Sequence, residues 1–140
     1  MTRRLTSLAA AVALLACGCT TVLKSKEFGD VRADGGSTPV AAVEIENSVW
    51  LLFNFIPVAS GSPDHPNLNR CKVFRNTVNL PNNMKVLEKE MACEGVEKVV
   101  NLTSHYTSES YLFFLLARRA CHTSAVLIQS GAKDKEPAKK

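Results

Sequence analysis

The sequence predicts a small, single-domain α+β fold, with one helix packed on a mostly antiparallel β-sheet in the order β-α-β-β. Three observations lead to this class. Apolar side chains alternate with polar ones over residues 40–56 and again over residues 96–106, as in strands with one solvated face. Between these stretches, apolar residues recur at helical spacing up to Gly95. Residues 119–128 are rich in side chains that favour strands.

Residues 1–16 are predicted to be a lipoprotein signal peptide. Arg3 and Arg4 precede an uncharged stretch that ends at Ala16, which is typical of a secretory signal. That stretch is shorter than the roughly 18 apolar residues needed to cross a bilayer. The sequence Leu-Leu-Ala-Cys at residues 14–17 resembles the lipobox of bacterial lipoproteins. This resemblance implies cleavage after Ala16, diacylation of the Cys17 sulfur and acylation of the new amine.

The lipobox also predicts where the chain is located. The acyl chains would anchor the protein in the membrane of a bacterial cell envelope. Gly18 follows Cys17, where an aspartate would retain a lipoprotein at the inner membrane, so we expect the outer membrane. A second frame, Ala-Cys-Gly-Cys at residues 16–19, would instead place the lipid on Cys19. Residues 17–39 are polar and glycine-rich, and are predicted to be a flexible tether.

The globular domain is predicted to cover residues 40–129, and its first element is a strand over residues 40–56. Asn47 and Ser48 break the alternation of this strand and predict a bend there. Residues 57–69 are rich in turn formers and predict a loop. A short strand within residues 71–78 follows, although its pattern is weak.

The helix has recognisable start and stop signals. Asn79 or Asn82 can cap its N-terminus, and Pro81 is tolerated in the first turn. Gly95 is suited to end it. The apolar side chains expected to face the core share one side of this helix, three and four residues apart: Met84, Leu87 and Met91.

The second half of the domain is predicted to be mainly extended. Residues 107–110 form a turn after the strand over residues 96–106. Residues 111–117 are continuously apolar and predict either a buried strand or a short helix. The charged residues 130–140 are expected to be disordered.

The net charge and the cysteines limit the classes of function that the sequence allows. The net charge is +4, and much of it comes from the signal peptide and the lysine-rich tail. Because the folded part is close to neutral, we expect no binding to nucleic acid. Cys71, Cys93 and Cys121 remain in the domain, where an oxidising compartment would permit a disulfide. They are equally well explained as buried thiols, and their pairing is left open.

No catalytic residue, metal site or cofactor is predicted. Cys121 and His122 are adjacent, so on a strand they point to opposite faces, which favours a structural cysteine and a surface histidine over a catalytic pair. The three histidines and the cysteines show no spacing typical of metal ligands. We therefore expect the protein not to be an enzyme.

Aromatic residues are the candidates for a binding surface. Trp50, Tyr111, Phe113 and Phe114 lie in strongly apolar stretches. Residues 111–116 are predicted first as core, then as a protein interface or a patch apposed to the membrane. A domain of this size has limited interior, which keeps the last two alternatives open.

A resemblance to a known type of protein adds to this interpretation. The pattern consists of Asn-Ser-Val-Trp-Leu-Leu-Phe at residues 47–53, Ile-Pro at 56–57 and Glu-Gly-Val-Glu-Lys-Val-Val-Asn-Leu at 94–102. With these motifs, the chain resembles small bacterial envelope lipoproteins of the TRL-like type. The resemblance covers residues 43–128. The resemblance implies a compact α+β envelope domain and provides no catalytic residues.

These observations predict a lipid-anchored envelope lipoprotein that is a non-enzymatic binding or assembly module. Its partners would be the membrane, through the acyl chains, and either an envelope protein or a second copy of the chain. The alternative is a metal- or redox-active periplasmic domain that uses Cys71, Cys93, Cys121 and the histidines.

Overall fold

The computed structural model describes residues 19–27, 38–68 and 70–129. These residues form six strands and one helix. The elements in chain order are β1 (Thr20–Ser25), β2 (Thr38–Leu52), β3 (Ile56–Gly61), β4 (Cys71–Val73), α1 (Leu80–Glu94), β5 (Lys98–Tyr111) and β6 (Leu116–Gln129). The expected α+β class, with one helix and a mostly antiparallel sheet, is confirmed for this part of the chain. The expected order β-α-β-β is wrong, because four strands precede the helix.

One sheet contains all six strands, and its main path runs β4-β3-β2-β6-β5 with antiparallel neighbours. The long strand β2 is its centre. Strand β6 pairs with β2 along its whole length, from Thr38 to Leu52. The other edge of β2 is shared by two strands, because β1 pairs with residues 42–47 and β3 with residues 49–52.

Strands β1 and β3 meet end to end at Gly61. A Cβ atom at this position would lie 2.5 Å from the backbone nitrogen of Thr20, which is closer than real contacts allow. Glycine is therefore required where the start of β1 closes on the end of β3. Asn47 stabilises the same junction, since its Oδ1 accepts a hydrogen bond from Thr20 Oγ1 (3.0 Å) and its Nδ2 donates one to the Thr77 carbonyl (2.6 Å).

The helix begins and ends where its local signals predict. The Asn79 side chain caps the N-terminus by accepting from the backbone N–H of Asn82 at 2.8 Å. Gly95 ends the helix in the left-handed conformation, with φ of 66°. The buried face differs from the predicted one: Val86 and Leu87 are buried, whereas Met84 and Met91 are only partly buried.

The two halves of the sheet are packed differently. We call residues 38–47 of β2, their neighbours in β1, β5 and β6, and α1 the helix half. Its buried core contains nine residues: Val22, Ala41, Val43, Ile45, Val86, Leu87, Val96, Ala125 and Leu127. The tip half contains residues 48–52 of β2, the neighbouring ends of β5 and β6, and β3 and β4. Its buried cluster contains Val49, Leu51 and Ala117.

The ends of the predicted first strand require correction. Strand β2 ends at Leu52, and β3 begins at Ile56, so the predicted strand over residues 40–56 is part of a hairpin. Strand β3 also occupies part of the predicted loop over residues 57–69. The pairing of β2 with β3 shifts register between Trp50 and Leu51, three residues beyond the expected bend.

Two other segments also differ from the prediction. Residues 20–25 were expected in the tether, yet they form β1, with Thr20 and Val22 buried. The expected turn at residues 107–110 is absent from the described part of the chain, because β5 continues to Tyr111. The hairpin then turns within residues 112–115, and the apolar stretch 111–117 is mostly exposed rather than core.

Some predictions concern residues outside the described part of the chain. The signal peptide at residues 1–16, the lipidation site Cys17 and the tail at residues 130–140 all lie there. They remain predictions.

Candidate functional site

Two hairpin turns meet at one end of the sheet. The first turn connects β2 to β3 and contains residues 53–55, and the second connects β5 to β6 and contains residues 112–115. They are neighbours because Leu52 pairs with Leu116, at the ends of β2 and β6. A hydrogen bond from the Phe53 N–H to the Leu115 carbonyl, 2.8 Å long, joins the two turns directly.

The exposed side chains of these turns are almost all large and apolar. Phe55 is 72% exposed and Phe113 is 93% exposed. We call the six exposed apolar residues of the two turns the aromatic tip: Phe53, Phe55, Leu112, Phe113, Phe114 and Leu115. Ile56 and Phe74 are exposed at the same end of the sheet. An apolar surface of this kind on a small domain is typical of a contact site.

The backbone of both turns is unusual for the residues that form it. The Phe55 N–H donates to the Leu52 carbonyl, and Phe53 and Asn54, between them, have positive φ. The Leu115 N–H donates to the Leu112 carbonyl, with positive φ at the central residues Phe113 and Phe114 and also at Leu112. Two central residues with positive φ are typical of a type I′ hairpin turn, which favours Asn-Gly. Bulky side chains in this region of φ are strained by roughly 1–2 kcal/mol each.

Arginines, and no acidic side chains, occur within the sequence of the tip segments 50–58, 73–75 and 111–119. The Arg119 guanidinium donates to the Asn54 side-chain oxygen at 3.1 Å and holds the first turn. Arg75 is exposed beside Phe74. Arg118 pairs with Glu46 on the sheet face opposite the helix. Arg75 and Arg119 therefore border the aromatic tip, whereas Arg118 is paired with Glu46, and Glu109 accepts from the Tyr111 hydroxyl behind the tip.

Trp50 and Tyr111 pack against each other next to the tip, with ring centroids 5.5 Å apart. Trp50 is half-buried on the sheet face opposite the helix. The Tyr111 hydroxyl donates to Glu109, and this hydrogen bond raises the pKa of Tyr111. Of the four predicted interface residues, the structure therefore places Phe113 and Phe114 on the tip itself, and Trp50 and Tyr111 directly behind it.

Phe53 and Phe55 were not among the predicted interface residues. The alternation placed both on one face of a continuous strand. The sequence did contain a signal for this turn, namely Asn54 between two stretches of aromatic and apolar residues, because asparagine tolerates positive φ in tight turns. Their rings stack at 6.4 Å and extend the surface formed by Phe113 and Phe114.

The predicted thiols lie in three separate environments. Cys71 is half-buried in β4, Cys93 is exposed near the end of α1, and Cys121 is fully buried in β6. Each is a free thiol, so none of the disulfides considered between these three residues is present. The amide of Asn83 donates to the Cys121 carbonyl at 2.9 Å, which places this cysteine against the helix.

The described histidines and cysteines do not come together in a metal-binding group. His105 and His122 stack across β5 and β6 with ring centroids 4.8 Å apart, on the face opposite the helix. Cys121 and His122 therefore point to opposite faces, as their adjacency predicts. Within residues 19–27, 38–68 and 70–129, no group of three His, Cys, Asp or Glu side chains could hold a metal ion.

A shallow cleft of about 410 Å³ lies between α1 and the loop before β4. Its lining is mainly charged, and Lys72 Nζ pairs with Asp64 Oδ2 at 2.6 Å. This hydrogen bond lowers the pKa of the Asp64 carboxyl. The Lys72–Asp64 ion pair therefore neutralises part of the charge in the cleft, whereas the apolar side chains of the tip are exposed.

Comparisons with known proteins returned no matching family model, no matching curated protein and no matching solved structure. Among the described residues, no helix is long and apolar enough to cross a membrane.

Proposed function

We propose that this chain is a lipid-anchored lipoprotein of the bacterial cell envelope, acylated on Cys17. Its folded domain is a non-enzymatic binding module, and the aromatic tip is its contact surface. Two observations support the proposal: the charged, apolar and Leu-Leu-Ala-Cys segments at the N-terminus, and the exposed Phe113 and Phe114. The second observation carries the binding function, because exposed, strained aromatic residues contribute nothing to the core.

The position of Cys19 favours Cys17 as the acylated residue. Cys19 lies at the edge of β2, where its carbonyl accepts from the Ser48 N–H at 2.9 Å and its N–H donates to Ser48 Oγ at 3.2 Å. Acylation of Cys19 would place the lipid on a residue held within the folded sheet. The resemblance to TRL-like envelope lipoproteins and the outer-membrane location belong to the same proposal.

Metabolic labelling with palmitate tests the anchor. The parent chain and Cys19→Ala should both incorporate label and remain in the membrane fraction, and density separation should place them with the outer membrane. Cys17→Ala should lose the label. Retention of label and of membrane association by Cys17→Ala would contradict the proposal.

A further inference from the structure

We infer that the aromatic tip is a membrane-contacting surface whose side chains enter the interface of a phospholipid bilayer. The bilayer is the one to which the acyl chains on Cys17 attach. This inference rests on the proposed function, because the acyl chains bring the tip to the membrane. It assigns a lipid partner to a surface that the anchor alone leaves unexplained.

The chain enters the domain towards the end that carries the tip. Strand β1 runs antiparallel to β2, with Thr20 opposite Asn47 and Ser25 opposite Ala42. Cys19, the described residue before Thr20, therefore lies on the tip side of β1. Cys19 lies level with Ser48, four residues before Leu52, or about 13 Å along the strand.

Covalent geometry then sets the distance between the anchor and the tip. Two residues of chain span at most about 7 Å, so Cys17 cannot be further than this from Cys19. Along the strand direction, the end of β2, with Phe113 and Phe114 in the turn alongside, therefore lies at most about 20 Å from Cys17. Surface-bound apolar segments enter a bilayer by about 5–10 Å, so the anchor and the tip can be in the same interface.

The composition of the tip fits a bilayer interface. Its phenylalanine and leucine side chains are large and apolar, and such residues form the inserted face of surface-bound segments. Trp50 and Tyr111, which prefer the boundary between apolar and polar surroundings, lie immediately behind it. Arg75 and Arg119 are placed to meet anionic headgroups.

The backbone conformation of the turn at residues 112–115 indicates that Phe113 and Phe114 have a role other than stabilising the fold. Phe113 and Phe114 occupy positions where Asn-Gly would suit the positive φ values better. Their aromatic rings are nevertheless exposed, so they bury little surface within the described fold. Insertion into a bilayer would bury these side chains, which explains their presence at strained positions.

Fluorescence of Trp50 provides the test, because it is the only tryptophan in the chain. The full chain, processed and acylated in bacterial cells, is reconstituted into vesicles of phosphatidylcholine and phosphatidylglycerol. The acyl chains of these lipids carry bromine near the headgroup end, which quenches tryptophan on contact. We expect brominated lipid to quench the Trp50 fluorescence of the parent. In Phe113→Asn/Phe114→Gly, the fluorescence should equal that measured in unbrominated vesicles.

Two control variants isolate the role of the tip. Phe113→Leu/Phe114→Leu keeps large apolar side chains and should keep the quenching. Leu23→Ser/Leu102→Ser removes two exposed apolar residues of the helix half and should also keep it. Equal quenching in all variants, or none in the parent, would overturn the inference. A parent that is unquenched and dimeric, with Phe113→Asn/Phe114→Gly monomeric, would assign the tip to self-association instead.

The same preparation separates the two proposals. Palmitate label on the parent reports the anchor, and Trp50 quenching reports the tip. Labelled protein without quenching would contradict the tip inference alone. Unlabelled parent protein would contradict the anchor, and flotation of that protein with the vesicles, lost in Phe113→Asn/Phe114→Gly, would still support the tip.

Discussion

The helix half of the sheet has a buried core of nine apolar residues, whereas the phenylalanines of the tip half are exposed. Ile45 and Leu127 are 0% exposed beneath α1, whereas Phe113 and Phe114 are 93% and 71% exposed. Ion pairs join residues 24–26 to the last turns of α1 in this half, such as Lys26 with Glu94 at 2.8 Å. The hydrophobic effect thus stabilises the fold mainly in one half, while the apolar surface of the other half remains available for a partner.

The largest expected effect is on the core of the helix half. Ile45→Ala should lower the free energy of unfolding by about 2–5 kcal/mol, because it removes buried methyl groups and leaves a cavity. Denaturant titration of the full chain measures this. Phe113→Ala is the matched change in the tip half and should alter stability by no more than about 0.5 kcal/mol. Similar losses for both substitutions would mean that the two halves do not differ as described.

A smaller loss is expected at Asn47, on the boundary between the halves. Asn47→Val should cost about 1–3 kcal/mol, since it removes the buried hydrogen bonds to Thr20 and Thr77. Thr20→Val removes the partner hydroxyl. The double variant should therefore lose less stability than the two single variants added together. Strict additivity would show that the bond between β1 and β2 contributes little.

A gain in stability is expected at the tip. Phe113→Asn/Phe114→Gly should raise the free energy of unfolding by about 0.5–2 kcal/mol, because Asn-Gly suits the positive φ of both positions. The same denaturant titration detects it, with Phe113→Leu/Phe114→Leu as the control that keeps the strain. A loss of stability in the Asn-Gly variant would indicate that the aromatic rings pack within the fold.

The smallest effect is the acid response of the helix half. The hydrogen bond from Lys26 lowers the pKa of Glu94 below its ordinary value of 4.5, and Lys24 contributes further. The carboxylate therefore contributes stability that is fully present above the ordinary pKa and is lost as the pH falls through the lowered one. The denaturant midpoint of unfolding should fall as the pH drops below 4.5, and it should fall less in Glu94→Gln than in the parent. An identical pH profile in both proteins would exclude the contribution.

Local signals in the sequence predicted the helix correctly. Asn79 and Gly95 determine its ends through hydrogen bonds within a few residues, so no tertiary information is needed. The alternation around Val43 and Ile45 likewise predicts the central strand, because its two faces meet different surroundings.

Features that depend on distant residues were not predictable in this way. Residues 20–25 have no pattern of their own and form β1 through pairing with residues 42–47 of β2. Phe113 and Phe114 lack every common turn signal, so their apolar character predicted a core. Only the topology, which brings two hairpin turns together at residues 53 and 115, identifies them as a surface.

Quenching of Trp50 by brominated lipid, measured together with unfolding for the parent and Phe113→Asn/Phe114→Gly, tests the separation of the two halves most directly. We expect the variant to unfold at equal or higher denaturant concentration and yet to lose the quenching seen in the parent. Quenching that persists in a stably folded variant would contradict it.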